Sequence, residues 1–148
     1  MLSKMFPRKH ISFGKETKFR TKLENKKKIH TIRGNYELWK HNIEKIQNGN
    51  FFLSVRQWAD KPYRSKQVEV MEFKNVGYER ISMQYDQETG KLKAVINGKL
   101  YENVKELAKN DGLEWNEFID WFFGQGTGRT LFQGVIIHFT DFRYNPNK

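Results

Sequence analysis

The stretch Glu79–Tyr101, ERISMQYDQETGKLKAVINGKLY, decides the fold class. Ile81, Met83 and Tyr85 alternate with polar residues, the two-residue period of a half-buried strand. Asp86–Gly90 supplies a turn and Lys91–Ile96 a second strand. Asn97-Gly98 then marks a tight two-residue hairpin turn that sends the chain back through Lys99-Leu100-Tyr101. Strands joined this closely pair antiparallel, since parallel neighbours need a long crossover.

Working outward, Gln67–Phe73 sets Val68 and Val70 against Glu69 and Glu72, and Phe51–Trp58 reads as another strand, ended by the Pro62 region. Downstream, Asn103-x-x-Glu106 has the spacing of a capping box for a short helix with Val104, Leu107 and Ala108 on its apolar side. Trp115, Phe118, Ile119 and Phe122 form the stripe of a second helix that stops at Gly124–Gly128. Leu131–Phe142 reads as a closing strand with Val135, Ile137 and Phe139 on one face. Toward the N-terminus, Phe19 and Leu23 mark a short helix within Glu16–Asn25, and Ile29–Arg33 is β-branched enough to be a strand. Asn35 stands as the N-cap of a helix carrying Tyr36, Trp39, Ile43 and Ile46, which Gly49 ends. The predicted class is therefore α+β: a small, mostly antiparallel, barrel-like sheet with helices at its rim.

The length of 148 residues suits one domain, and 12 Phe and 4 Trp concentrate the apolar material in side chains large enough to fill a core. With no Cys, disulfides, thiolate zinc sites and cysteine nucleophiles are excluded together. His10, His30, His41 and His138 lack ligand spacing, so no metal is expected and no cofactor is implied. Met1–His10 holds Lys4, Arg8 and Lys9 without a continuous apolar run, and no stretch is long enough to span a membrane; a cytoplasmic location is the expectation.

Charge is unevenly placed. Residues 1–33 carry eleven Lys/Arg against Glu16 and Glu24, so this end holds a net +9 of the total of +10. Such a surface seeks polyanions, because clustered cations gain affinity by releasing phosphate counterions. RNA or a nucleoside ligand is the expected partner, with no membrane partner; nothing in the sequence speaks to oligomeric state. Lys26, Lys27 and Arg33 belong to this end. A second candidate binding loop interleaves Arg56, Trp58, Tyr63, Arg64 and Lys66, cations for phosphates and rings for bases.

Within Lys28-Ile29-His30-Thr31-Ile32-Arg33, a regular strand puts Thr31 and Arg33 on one side and turns Lys28 away. Lys28 and Thr31 meet only where Lys28 sits in the bend leading into the strand. A desolvated Lys amine among other cations titrates low and can serve as base toward a Thr hydroxyl, which is a poor nucleophile alone. A carboxylate that orients the pair completes the set.

Lys28-x-x-Thr31-x-Arg33 after a short helix resembles the K-x-x-T-x-R signature of ASCH domains, a branch of the PUA-like superfamily of small β-barrels associated with RNA. Gly49–Trp58, Glu106–Trp121 and Val135–Phe142 resemble further patches of that family. The resemblance implies a basic N-terminal arm over 1–14, an ASCH-type domain over 15–144 with 79–101 as a hairpin insertion, and a tail over 145–148. Small bacterial members remove acyl groups from the exocyclic amine of cytidine with a Lys, a Thr and a Glu. By position these fall on Lys28, Thr31 and Asp111, the last one methylene shorter than the family Glu. The resemblance thus implies an RNA- or nucleoside-binding domain with acyl-amide hydrolysis as its candidate reaction. Alternatives left open are a non-catalytic nucleic-acid-binding module, a ribonuclease, and a mobile-element protein that blocks a host partner.

Overall fold

The computed structural model describes residues 10–13, 19–49, 51–58 and 66–146. In chain order the elements are β1 (His10–Phe13), α1 (Phe19–Glu24), β2 (His30–Arg33), α2 (Tyr36–Gln47), β3 (Leu53–Trp58), β4 (Gln67–Phe73), β5 (Gly77–Asp86), β6 (Lys91–Ile96), β7 (Lys99–Tyr101), α3 (Val104–Asn110), α4 (Trp115–Phe123) and β8 (Leu131–His138). Five strands form an antiparallel sheet in the order β2-β8-β5-β6-β7, and three form a smaller sheet, β1-β3-β4, in which β1 runs parallel to β3. The class is α+β and mostly antiparallel. Among the described residues no ladder joins the two sheets, so the strand pairing stops short of a closed barrel.

Local chemistry explains most boundaries. Asn97 and Gly98 both adopt positive φ, 49° and 83°, the geometry a two-residue hairpin needs to match strand twist. Asn35 caps α2 by accepting the Leu38 N–H at 3.3 Å. The box expected at Asn103 does not form: Glu106 receives the Tyr101 hydroxyl instead, and Asn103 makes no side-chain cap bond. The working box belongs to α4, where Glu117 Oε1 accepts the Glu114 N–H at 2.9 Å.

β8 is the spine, buried on both faces. Val135 and Ile137, with Phe139 just beyond the strand, enter one core with Ile43 and Ile46 of α2 and with Leu53 and Val55 of β3. Ile136 and Phe132 enter a second core under α3 and α4, with Ile81, Met83, Leu107, Phe118 and Phe122. Gly134 lets β2 lie against β8, since a Cβ there would stand 2.2 Å from the Arg33 carbonyl oxygen.

Two expected boundaries move. Residues 10–13 of the predicted arm form β1, because their backbone finds a ladder on β3. Within 79–101, β5 pairs with β8 on one side and β6 on the other, at the centre of the large sheet, and β7 lies at its edge. Asn145, placed in the tail, is buried and donates its backbone N–H to Glu79 Oε2 at 2.9 Å.

Candidate functional site

β2 begins only at His30, so Lys28 and Ile29 form a lead-in to the strand. Their backbone is fixed by neighbours: the Lys28 N–H donates to Lys22 O at 3.1 Å and the Ile29 N–H to Asn110 O at 2.8 Å. This ties the α1–β2 turn to the end of α3, and the Lys28 side chain turns inward. Its Nζ donates to Asp111 O at 2.8 Å and to Asp111 Oδ1 at 2.9 Å. Residues 83 positions apart in sequence thus form a buried ion pair, with Lys28 1% and Asp111 4% exposed.

Thr31 is equally buried, and its Oγ accepts a hydrogen bond from Arg33 Nη1 at 3.0 Å. The Arg33 guanidinium also acts electrostatically on both Lys28 and Asp111. Of the residues expected from sequence, Lys28 is thus paired with Asp111 and Thr31 with Arg33.

Burial dominates the electrostatics. Desolvation lowers the Lys28 amine to about 8, with Asp111 opposing and the charges of Arg33 and Lys22 assisting. At pH 7 roughly a tenth of such an amine is neutral, enough to act as a base. Burial pushes the Asp111 carboxyl up, but Lys28 and His30 outweigh it and hold the group below the usual carboxylate range. Burial lowers Arg33 as well, opposed by Asp111; a guanidinium stays charged regardless.

A second polar layer lies behind the pair. His30 Nδ1 sits 3.5 Å from Asp111 Oδ1, longer than a well-formed hydrogen bond, and that nitrogen has no closer partner among the described residues. His30 Nε2 is 2.7 Å from the Tyr144 hydroxyl, which also accepts from Asn110 Nδ2 at 3.0 Å. His138 faces His30 across the β2–β8 ladder, and its Nε2 meets Glu79 Oε1 at 2.8 Å. Glu79 also accepts the backbone N–H groups of Tyr144 and Asn145. Burial drives the His138 imidazole down to about 4, so it is neutral at pH 7 and donates to a carboxylate that these bonds hold ionised against its own burial. No local sequence signal marks Tyr144 or Glu79 as partners of the two histidines, since only the strand register and the docked C-terminal segment bring them together.

The remaining expected residues are placed as follows. Lys26 and Lys27 are exposed and line a groove with Lys105 and Lys109 of α3. Lys105 and Lys109 were not singled out from sequence, although their four-residue spacing puts them on one helix face. Arg56 turns to the smaller sheet: its Nε donates to Ser54 Oγ at 3.1 Å, which in turn donates to Glu69 Oε1 at 2.6 Å. Lys66 is exposed beside β4. Tyr63, Arg64 and the side chain of Trp58 lie outside the described residues. Among the described residues no three His, Asp or Glu side chains converge as a metal site requires, and no helix is long and apolar enough to cross a membrane.

The chain matches no family model, no curated protein and no solved structure. The functional reading therefore rests on the residues themselves.

Proposed function

We propose that the chain is an ASCH-type, PUA-like domain that binds RNA or a modified nucleoside and hydrolyses an acyl-amide on cytidine. The observation that carries this reading is the buried Lys28–Asp111 pair, with the Arg33–Thr31 hydrogen bond a few residues further along the same segment. In the reaction, the neutral Lys28 amine takes the Thr31 hydroxyl proton as Oγ attacks the acyl carbon. Arg33 steadies the carbonyl oxygen as negative charge develops there. The cytosine amine leaves with a proton returned from Lys28, and water then hydrolyses the acyl-Thr31 ester. Asp111 orients Lys28 and makes its ammonium form less costly to bury.

Hydrolysis of acetylated cytidine by the whole chain tests this. Turnover is expected to rise with pH through a midpoint near 8, where Lys28 loses its proton, and Lys28→Ala is expected to lose on the order of 10²–10⁴-fold. Absence of turnover in the wild type, or turnover surviving in Lys28→Ala, ends the enzymic reading.

One observation favours a second reading. Lys28 already bonds Asp111 twice and is sealed from solvent, as befits a structural ion pair under a ligand-binding surface. In that case the domain binds RNA without chemistry, and Arg33→Ala weakens RNA binding while acetylated cytidine stays intact in every variant.

A further inference from the structure

Between the α1–β2 turn and the α3–α4 pair lies a groove of about 720 Å³. Among the described residues its walls carry Lys22, Lys26, Lys27, Lys105 and Lys109 against one carboxylate, Glu114. All but Lys22 are exposed, and Lys22 is held over the floor by donating to the Gly112 carbonyl oxygen at 2.5 Å. The remaining wall is apolar, built from Leu113, Ile29 and Trp115. Trp115 is half-buried, stacked on Phe118 at an interplanar angle of 16°, and also borders a neighbouring depression with Asn116 and Ile119. Trp115 therefore borders two hollows.

We propose that this groove binds a single-stranded nucleic acid, with phosphates along the lysines and a base against the Trp115–Leu113 wall. The inference rests on the reading of the chain as an RNA- or nucleoside-binding domain and deepens it: the ligand is a strand, not a free nucleoside. A nucleoside has no phosphate to set among five cations. An acidic peptide supplies charge but no planar ring for the apolar wall, whereas cationic grooves edged by aromatic rings suit unpaired bases on a phosphate backbone. The groove also adjoins the buried pair. Gly112 takes φ +79°, and a Cβ there would stand 3.1 Å from Lys28 Cβ and 3.4 Å from Lys22 Cδ. The groove floor is thus backed directly by Lys28, so a strand held by the lysines lies next to the proposed reaction centre.

Fluorescence anisotropy of a labelled oligouridine with the full chain tests the groove. Four or five phosphate contacts predict a slope of about −3 in log affinity against log salt, a loss of roughly 60-fold between 50 and 200 mM. The double variant Lys105→Glu/Lys109→Glu is expected to bind at least ~10-fold more weakly with a shallower slope, since two contacts become repulsions. Trp115→Leu is expected to lose about 10-fold with the slope unchanged, because stacking releases no counterions. Thermal melting by circular dichroism checks that the variants remain folded. Wild-type affinity in the double variant, or polyglutamate competing as well as oligouridine, overturns the inference. The readout is strand binding, so a chain without hydrolytic activity passes or fails independently. If Arg33→Ala abolishes binding while the double variant does not, the groove is lost and the reading of the chain as an RNA binder stands.

Discussion

Lys26, Lys27 and Lys28 are consecutive and chemically identical, yet the fold assigns them to different physical regimes. The first two lie in water at the edge of the groove; the third is sealed behind it against Asp111. An exposed ammonium keeps its hydration and contributes little to stability, but several together attract a polyanion. A buried ammonium loses hydration, so its protonation becomes sensitive to every neighbouring charge. Binding and acid–base chemistry can therefore be drawn from one run of lysines, with burial as the only difference.

The sharpest way to break this contrast is to remove the buried partner. Asp111→Ala leaves the Lys28 cation without its carboxylate and is expected to cost about 3–5 kcal/mol in urea unfolding. A cost below about 1 kcal/mol would mean that the pair is effectively solvated. A somewhat smaller effect comes from pH. Because burial lowers Lys28 to about 8 from 10.5, the unfolded chain holds a proton there that the folded chain has lost between those values. Stability relative to a Lys28→Met variant should therefore rise, by about 3 kcal/mol, as pH climbs from 8 to 10.5. A flat or falling difference would sink the assigned burial. At the small end, Lys26→Ala and Lys27→Ala should each shift unfolding by less than about 0.5 kcal/mol, as surface substitutions do. A larger loss from either would show that the exposed lysines hold the α1–β2 turn together.

Much of this arrangement was legible from spacing. Tyr36, Trp39, Ile43 and Ile46 marked α2, Asn97-Gly98 marked the hairpin, and Val135, Ile137 and Phe139 were assigned to one face, where they pack together. These signals are local, because helix and strand periods decide which side chains share a face within a few residues. Capping was legible only in part: Glu106 had the right spacing, but Tyr101, brought close by β7, took its carboxylate. The place of β5 at the sheet centre is not legible locally, for a related reason. A hairpin looks alike whether it hangs from a sheet or forms its middle, and only the pairing of β5 with β8 distinguishes the two. His30 and His138 fall within segments whose sequence reads as strands, but their mutual register and the return of Tyr144 over His30 depend on contacts more than 100 residues apart in sequence.

The sequence by itself determined the α+β class, the concentration of positive charge in the first 33 residues, and the local pattern that set Thr31 and Arg33 on one side of a strand. Only the tertiary structure decided that Lys28 turns inward, that Asp111 meets it, and that Lys105 and Lys109 complete the groove outside. The physical reason is that backbone periodicity is written in neighbouring residues, whereas the desolvation of a charge depends on which distant segments pack over it.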